Sequence, residues 1–314
     1  MKLFIFVLIL FSLLLLNIEN RPLKPIIAIY GNSYPENDDE EFINGTYYPI
    51  SYIYWLESFG AEVMAIHYWY SYEKIDEILQ KINGVLFLGG GRLFLKNATW
   101  EKKAEYIIEK SLEYNLPFWG TCQGFELMGS ILSDNFSLLK NEFNDVNTLH
   151  NLVMNNNTKR SNMFKLFYPN DYDILENANS TIYNHVWGFY PNEFINDKKL
   201  NEITLVTSTA QDKEGNKFIN SFEGKNKAFY AVQFHPEKNP FKRANYNLEQ
   251  NIEALKVSQK LGMNFIQKTK QNKNRLNEQD RIKYDFFDTY QGTKNCIYNK
   301  EDETFYFYKK YNIS

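Results

Sequence analysis

The sequence predicts an α/β fold in three layers: a mostly parallel central sheet with helices on both faces. Three observations predict it. Short apolar runs alternate with helical stretches over the first half of the chain, the pattern of parallel strands joined by crossover helices. One such run, residues 116–119, leads into Gly120-Thr121-Cys122-Gln123-Gly124, a cysteine with glycines at minus two and plus two. Another, residues 228–234, ends in His235-Pro236-Glu237.

In chain order, residues 25–30 form a first apolar strand and residues 51–59 a helix that Gly60 stops. Residues 62–67 give a second strand. Ile75, Ile78, Leu79 and Ile82 recur at i, i+3, i+4 and i+7, one face of a helix. Residues 84–88 give a third strand, running out into Gly89-Gly90-Gly91. Ala104, Ile107, Ile108 and Leu112 mark the next helix, closed by Asn115 and Pro117, and residues 117–119 form the strand before the cysteine. Residues 131–200 are less regular and rich in Asn, and are expected to supply insertions and peripheral strands around the rim of a site. Residues 202–223 read as a hairpin turning at 212–216. After strand 228–234, Leu248, Ile252, Leu255, Ser258, Gly262 and Phe265 form one helical stripe. Residues 268–283 are polar and mostly basic, a solvated helix end. The aromatic-rich residues 284–308 are expected to fold back on the body.

A chain of 314 residues with 44% hydrophobic content can bury a large core. Its net charge of −3 gives it no electrostatic claim on nucleic acid or on an anionic membrane surface. Residues 1–20 read as a signal peptide: Lys2 precedes a run, residues 3–16, that is apolar except for Ser12. That run falls short of the roughly 20 residues a spanning helix needs. No small-x-small cleavage site stands near residues 17–21, so an uncleaved signal anchor stays open. Otherwise residues 21–314 form one domain on the secretory route, free of the membrane after signal removal, for the exterior or for a lysosome or vacuole. There are two cysteines, Cys122 and Cys296. A disulfide between them would block the thiol of the glycine-flanked turn, so both are expected to be free. Sequons at Asn44, Asn97, Asn135, Asn156, Asn179 and Asn312 suit a glycoprotein, although several arise by chance in an Asn-rich chain.

The glycine spacing around Cys122 is that of a nucleophile elbow. A nucleophile in a tight strand-to-helix turn needs glycines where strand and helix pass closely. The helix starting near Gln123 directs its amide end at the sulfur and favours thiolate. Taken alone, the stretch also fits a buried structural cysteine. A nucleophilic cysteine needs a base, and of the four histidines His235 stands at a strand end, where Pro236 stops the strand and Glu237 can turn back to orient the imidazole. Gly89-Gly90-Gly91 ends the strand expected beside the elbow. Backbone amides of this glycine run and of Gln123 could converge there on a developing oxyanion, where three glycines alone would mean only a loop. No Cys/His cluster has metal-ligand spacing, and neither a metal nor an organic cofactor is expected.

Gly120-Thr121-Cys122-Gln123-Gly124-Phe125-Glu126 together with Gln233-Phe234-His235-Pro236-Glu237 resembles the class I glutamine amidotransferase fold and, within it, the gamma-glutamyl hydrolases (folylpolyglutamate hydrolases). Glu126 carries the distinction, because amidotransferases usually have Gln at that place. Gln123 departs from the resemblance, since the hydrolases usually have Leu there. The resemblance spans about residues 25–308. It implies thiol hydrolysis of γ-glutamyl amides, chiefly of poly-γ-glutamylated folates, with Cys122 as nucleophile, His235 as base and Glu237 as its orienter. It also points to Gly90 among the three glycines as the oxyanion donor, and places Tyr52 and His185 among substrate-lining residues, whereas without it both read as structural. His67 and His150 are left as structural or surface residues. Arg92 and Lys238 lie near the right strand ends to meet substrate carboxylates. The other readings are an ammonia-donating amidotransferase or glutaminase subunit, a cysteine endopeptidase, and an inactive binding protein on the same scaffold. Assembly is open between a monomer and a homodimer. A resting Cys122 thiolate paired with imidazolium would suit work at acidic pH.

Overall fold

A computed structural model describes residues 24–33, 45–240, 252–287, 295–300 and 303–309. The expected signal segment, the sequons at Asn44 and Asn312, Leu248 and the Cys296 side chain lie outside the described part. The elements run β1 (Ile26–Tyr30), β2 (Asn32–Ser33), β3 (Gly45–Pro49), α1 (Ile50–Glu57), β4 (Glu62–Ile66), α2 (Tyr72–Leu79), β5 (Gly84–Phe87), α3 (Thr99–Glu113), β6 (Phe118–Thr121) and α4 (Gln123–Ser133). The second half follows with β7 (Leu139–His150), β8 (Val153–Met154), α5 (Pro169–Asn177), β9 (Thr181–Phe189), α6 (Pro191–Asn196), α7 (Lys198–Ile203), β10 (Thr204–Gln211), β11 (Lys217–Gly224), β12 (Phe229–Val232), α8 (Ile252–Thr269), β13 (Asn295–Lys300) and β14 (Glu303–Lys309).

The main sheet has the order β4-β1-β5-β6-β12-β11-β10-β8. Its first five strands are parallel and the last three join antiparallel. The parallel strands are apolar on both faces because both faces are covered. Alternate residues serve opposite sides. Val85, Phe87, Phe118, Phe229 and Ala231 join the core built with α2, α3 and α4, through Ile75, Ile78, Ile107, Ile108, Phe125 and Leu127. Leu86, Leu88, Trp119, Tyr230 and Val232 join the core built with α1 and α8, through Ile53, Trp55, Leu56, Val257, Leu261 and Phe265. These are the three layers that the alternating pattern requires.

Register does the positioning. Phe87 lies beside Gly120, and Gly120 beside Ala231. The chain therefore leaves β5, β6 and β12 at the same sheet edge, carrying Gly89, Cys122 and His235 out together. This is the carboxyl end of a parallel sheet, where ligands of such folds bind.

Two regions are more ordered than the sequence reading made them. Residues 131–200 contain β7 and β9, which pair into a separate antiparallel ribbon, besides α5 and α6. Residues 268–283 are not a continued helix: α8 ends at Thr269, and a separate 3-10 turn covers Glu278–Lys283. The aromatic tail does fold back. Phe286 and Phe287 are buried, and β14 pairs with β3 in a second sheet of order β13-β14-β3-β2. That sheet has no counterpart in the sequence reading, because it joins strands more than 250 residues apart in the chain.

Trp119 is the pivot of the α1/α8 side. It is fully buried, its ring lies against Trp55, Tyr230 and Phe265, and its indole N–H donates to Thr121 Oγ1 at 2.9 Å. Trp119→Ala should lower the unfolding free energy by about 3–5 kcal/mol, measured by urea denaturation. A loss below about 1 kcal/mol would show that this layer is held elsewhere.

Candidate active site

Cys122 is the residue between β6 and α4, at the N-cap of the helix, with φ 51° and ψ −109°. A side chain at positive φ is strained, by about 1–3 kcal/mol. The fold holds it there from both sides: Cys122 N–H donates to Val232 O at 2.8 Å, and Cys122 O accepts Glu126 N–H at 2.9 Å. The flanking glycines are steric requirements. A Cβ on Gly124 would run into the Phe87 carbonyl, and one on Gly120 would lie 2.5 Å from Met128 Sδ and 2.7 Å from Gly124 O. Cys122 is 2% exposed, and its sulfur lies 4.0 Å from Asn184 O.

His235 follows β12. Its backbone N–H donates to Ile182 O at 2.8 Å, and Pro236 opens a 3-10 turn that returns Glu237 to the ring. His235 Nδ1 lies 2.7 Å from Glu237 Oε1, with the carboxylate fully buried. A buried carboxylate against one ring nitrogen fixes the tautomer and leaves Nε2 as the base. His235 and Cys122 meet around Gly89: a Cβ built on that glycine would lie 2.8 Å from His235 Cε1 and 3.4 Å from Cys122 Cβ.

The loop after β5 borders the same space. Gly89 N–H donates to Tyr52 Oη at 2.9 Å, and Gly89 O accepts from Asn32 Nδ2 at 2.8 Å. With the Gly89 amide engaged, Gly90 is the next in line for an oxyanion, and no hydrogen bond engages its amide among the described residues. The amide of Gln123 faces the Cys122 sulfur.

Tyr52 and His185 each have partners within the protein. The Tyr52 hydroxyl is buried against Gly89 and holds the loop rather than reaching outward. His185 Nδ1 donates to Trp187 O at 2.8 Å, and its Nε2 is 3.5 Å from Asp145 Oδ2. Asp145 also takes Thr148 Oγ1 and His150 Nε2, each at 2.5 Å. Burial pushes the Asp145 carboxyl up, but His150, His185 and Thr148 outweigh it and hold the group below its usual range. His185 thus belongs to a buried Asp–His cluster in the β7/β9 ribbon, one residue from the Asn184 carbonyl that touches Cys122. His150, read as structural or surface, is its third member. Asp145 escaped the sequence reading because its partners come from two strands whose pairing carries register shifts.

Arg92 is held by protein groups, donating to Ser33 Oγ at 2.6 Å and lying 3.6 Å from Glu101. Lys238 is buried beside Glu237, and its charge favours the Cys122 thiolate.

The thiol itself differs from the expectation of a resting thiolate. Burial pushes the Cys122 pKa up, and the Glu126 and Glu237 carboxylates add to it, against Lys238 and the Gln123 amide. Desolvation of the charged form outweighs the helix end. Glu126 is itself pushed up to about 8 by burial, against one hydrogen bond from Gln233 Nε2 at 2.9 Å. Below that pH it is a neutral acid and its charge no longer opposes the thiolate.

An elbow cysteine, a histidine on the neighbouring strand end and a carboxylate behind it define a class of cysteine-dependent enzymes, and the comparisons agree. The family model for glutamine amidotransferase class-I matches residues 48–255. The glutaminase domain of a Trypanosoma brucei CTPS, solved with bound acivicin, superposes with a TM-score of 0.51 at 13% identity, covering 81% of this chain and 98% of that one. Within that class the chain belongs to the gamma-glutamyl hydrolase family: it is 30% identical over 285 residues to gamma-glutamyl hydrolase B of Dictyostelium discoideum, covering 89% of this chain and 81% of the relative. It is also 30% identical over 259 residues to gamma-glutamyl hydrolase of Mus musculus, covering 79% and 80%.

Two pH-dependent outcomes follow. The rate of iodoacetamide alkylation of Cys122 in the free protein should rise to an inflection above the ordinary thiol value of about 8.5. A plateau already present at pH 5–6 would restore the resting thiolate. For Glu126, the folded pKa lies above the unfolded one, so the neutral acid is the form the fold favours. Its stability contribution is complete below the ordinary carboxylate range, near pH 4.3, and is lost as pH rises through about 8. Glu126→Gln should flatten the fall of urea stability between those pH values, and an unchanged slope would place the titration in another group.

Proposed function

We propose that this protein hydrolyses γ-glutamyl amide bonds, with poly-γ-glutamylated folates as substrate, through a thioester on Cys122. The observation that carries the reading is the meeting of Cys122 and His235 around Gly89, with Glu237 2.7 Å behind the imidazole. Cys122 Sγ attacks the γ-carbonyl carbon, and the thiol proton passes to His235 Nε2. The carbonyl oxygen becomes an oxyanion, which the amides of Gly90 and Gln123 receive; such a donor is typically worth about 10²–10³ in rate. The C–N bond then breaks, and His235 gives its proton to the leaving amine. Water, deprotonated by His235, attacks the thioester, the C–S bond breaks, and the thiol recovers its proton. Glu237 stabilises the imidazolium that forms twice per cycle. Tyr52 serves by fixing the Gly89 turn. His185, 3.5 Å from Asp145, lies where it can tune the rim that meets the substrate.

Residues 1–20 fit a signal segment and residues 21–314 the catalytic domain, which would deliver the enzyme to the exterior or to a lysosome or vacuole as a glycoprotein. Glu126 in its neutral form at acidic pH suits such a compartment. Among the described residues no helix is long and apolar enough to cross a membrane.

Incubation with a folate pentaglutamate, with products weighed by mass spectrometry, should yield shortened folates and γ-linked or free glutamate. Ammonia release from glutamine without any such cleavage would instead favour an amidotransferase subunit. Cys122→Ala should abolish turnover with the fold retained, and residual activity above about 1% of wild type would remove Cys122 as nucleophile. Glu237→Gln should lower kcat less than His235→Ala does, because an orienting carboxylate contributes less than the base it orients; equal losses would give Glu237 a direct part in the chemistry.

A further inference from the structure

The side chain of Gln123, distinct from its backbone amide, has a partner that the proposed chemistry does not use. Gln123 is 1% exposed at the first turn of α4. Its Nε2 donates to the Arg92 carbonyl at 2.5 Å, across from the helix to the loop after β5. The donor assignment is fixed by chemistry, since a backbone carbonyl only accepts. Its Oε1 is buried with no hydrogen-bond partner among the described residues, and a Cβ on Gly90 would lie 2.5 Å from it.

The loop is held at two places besides this one. Gly89 is fixed through Tyr52 and Asn32. Past the glycines, the Arg92 side chain is fixed by Ser33, Glu101 and the face of Trp100, with its guanidinium carbon 5.6 Å from the ring centroid. Glu101 also accepts Leu95 N–H at 2.8 Å. Between these anchors lie Gly90 and Gly91, which have no side chain to anchor them. Among the described residues, only the Gln123 side-chain amide hydrogen-bonds the backbone of this stretch directly to the helix that follows Cys122. An oxyanion donor works by being in place before charge develops, and a misplacement of about 1 Å from a residue remote from the reacting atoms can cost about 10² in rate.

We propose that Gln123 is a positioning residue that braces the Gly90–Gly91 segment against the nucleophile helix and so sets the distance between the Gly90 amide and the oxyanion. The proposal rests on the hydrolase reading given above. Its consequence is selective: the brace matters for species with a tetrahedral oxyanion and not for reactions of the sulfur that lack one.

The test compares two reagents on wild type, Gln123→Leu and Gln123→Glu. The leucine keeps the bulk, and the glutamate keeps the length but loses the donor. A γ-glutamyl peptide ending in glutamate γ-semialdehyde adds the thiol across its carbonyl: the C–S bond forms, and the oxygen takes the negative charge or the thiol proton in the oxyanion site. Iodoacetamide alkylates the same sulfur with loss of iodide and makes no oxyanion. Both variants should bind the aldehyde more weakly than wild type by about tenfold or more and lose kcat on the folate pentaglutamate with KM little changed. Their alkylation rates should stay within about twofold of wild type. Unchanged aldehyde affinity in folded variants overturns the brace, as does an equal loss in aldehyde binding and alkylation, which would mean general damage to the elbow. Should one variant fail to fold by circular dichroism, the other decides. A wild-type protein that neither cleaves the pentaglutamate nor binds the aldehyde overturns the hydrolase reading itself, whereas an active wild type with unaffected variants overturns only the role of Gln123.

Discussion

Everything at the active edge depends on one steric constraint, the passage of α4 over the ends of β5 and β6. The backbone of Gly124 lies against the Phe87 carbonyl, and Gly120 lies against Met128 and Gly124, with no room for a β-carbon at either place. Because the helix comes so close, the chain must reverse within one residue, and that residue takes a positive φ. The strain is affordable because Cys122 is tied into β12 through Val232 and into its own helix through Glu126. The same closeness buries the sulfur. Burial, rather than the helix dipole, then governs the resting protonation of the thiol. Nucleophile exposure and nucleophile acidity, which a lone turn would treat as separate matters, are here consequences of a single packing distance.

The polar groups around the elbow form two layers of support. Nearest the reacting atoms, Glu237 fixes the imidazole and Tyr52 and Asn32 fix Gly89. Behind them, Gln233 meets Glu126 on the inner side of α4, and Asp145 gathers His150 and His185 in the ribbon beside Asn184. Buried polar groups of this kind specify one arrangement when satisfied and cost stability when not. Two of them retain an oxygen with no hydrogen-bond partner among the described residues, Glu237 Oε2 and Gln233 Oε1. Their clustering around one sheet edge marks where the molecule has given structural economy over to chemistry.

The sequence made much of this legible, for identifiable reasons. Parallel strands covered on both faces write themselves as apolar runs, so β1, β4, β5, β6 and β12 could be read directly. Gly120 and Gly124 are visible as an elbow because the steric demand falls on glycine at fixed spacing. His235 and Glu237 are legible because they are neighbours in the chain. The intramolecular partners of Tyr52 and His185 were not legible: a hydroxyl at Gly89 and a ring beside Asp145 are facts about side-chain direction, which periodicity does not encode. The β7/β9 ribbon stayed obscure because its register shifts break the two-residue alternation that announces a half-buried strand. The ionisation of Cys122 could not be foreseen either, since desolvation depends on what lies overhead and not on what lies adjacent in sequence.

The second sheet has a consequence for the order in which the molecule is made. β3 is the strand from which α1 springs, and α1 carries Tyr52 to the Gly89 turn. β3 pairs on one side with the two-residue β2 and on the other with β14, whose Phe305 stands opposite Pro49. Long-range pairings of this kind are slow to form and come late in folding. A ribosome delivering the chain from its N-terminus would release every residue of the elbow and of the histidine–glutamate pair well before β14. Until then β3 is paired only with β2, and the helix that steadies the Gly89 turn springs from a half-paired strand. The Gly89 turn that borders the Cys122 thiol is therefore steadied through a strand whose partner, β14, follows every residue of the elbow in the chain.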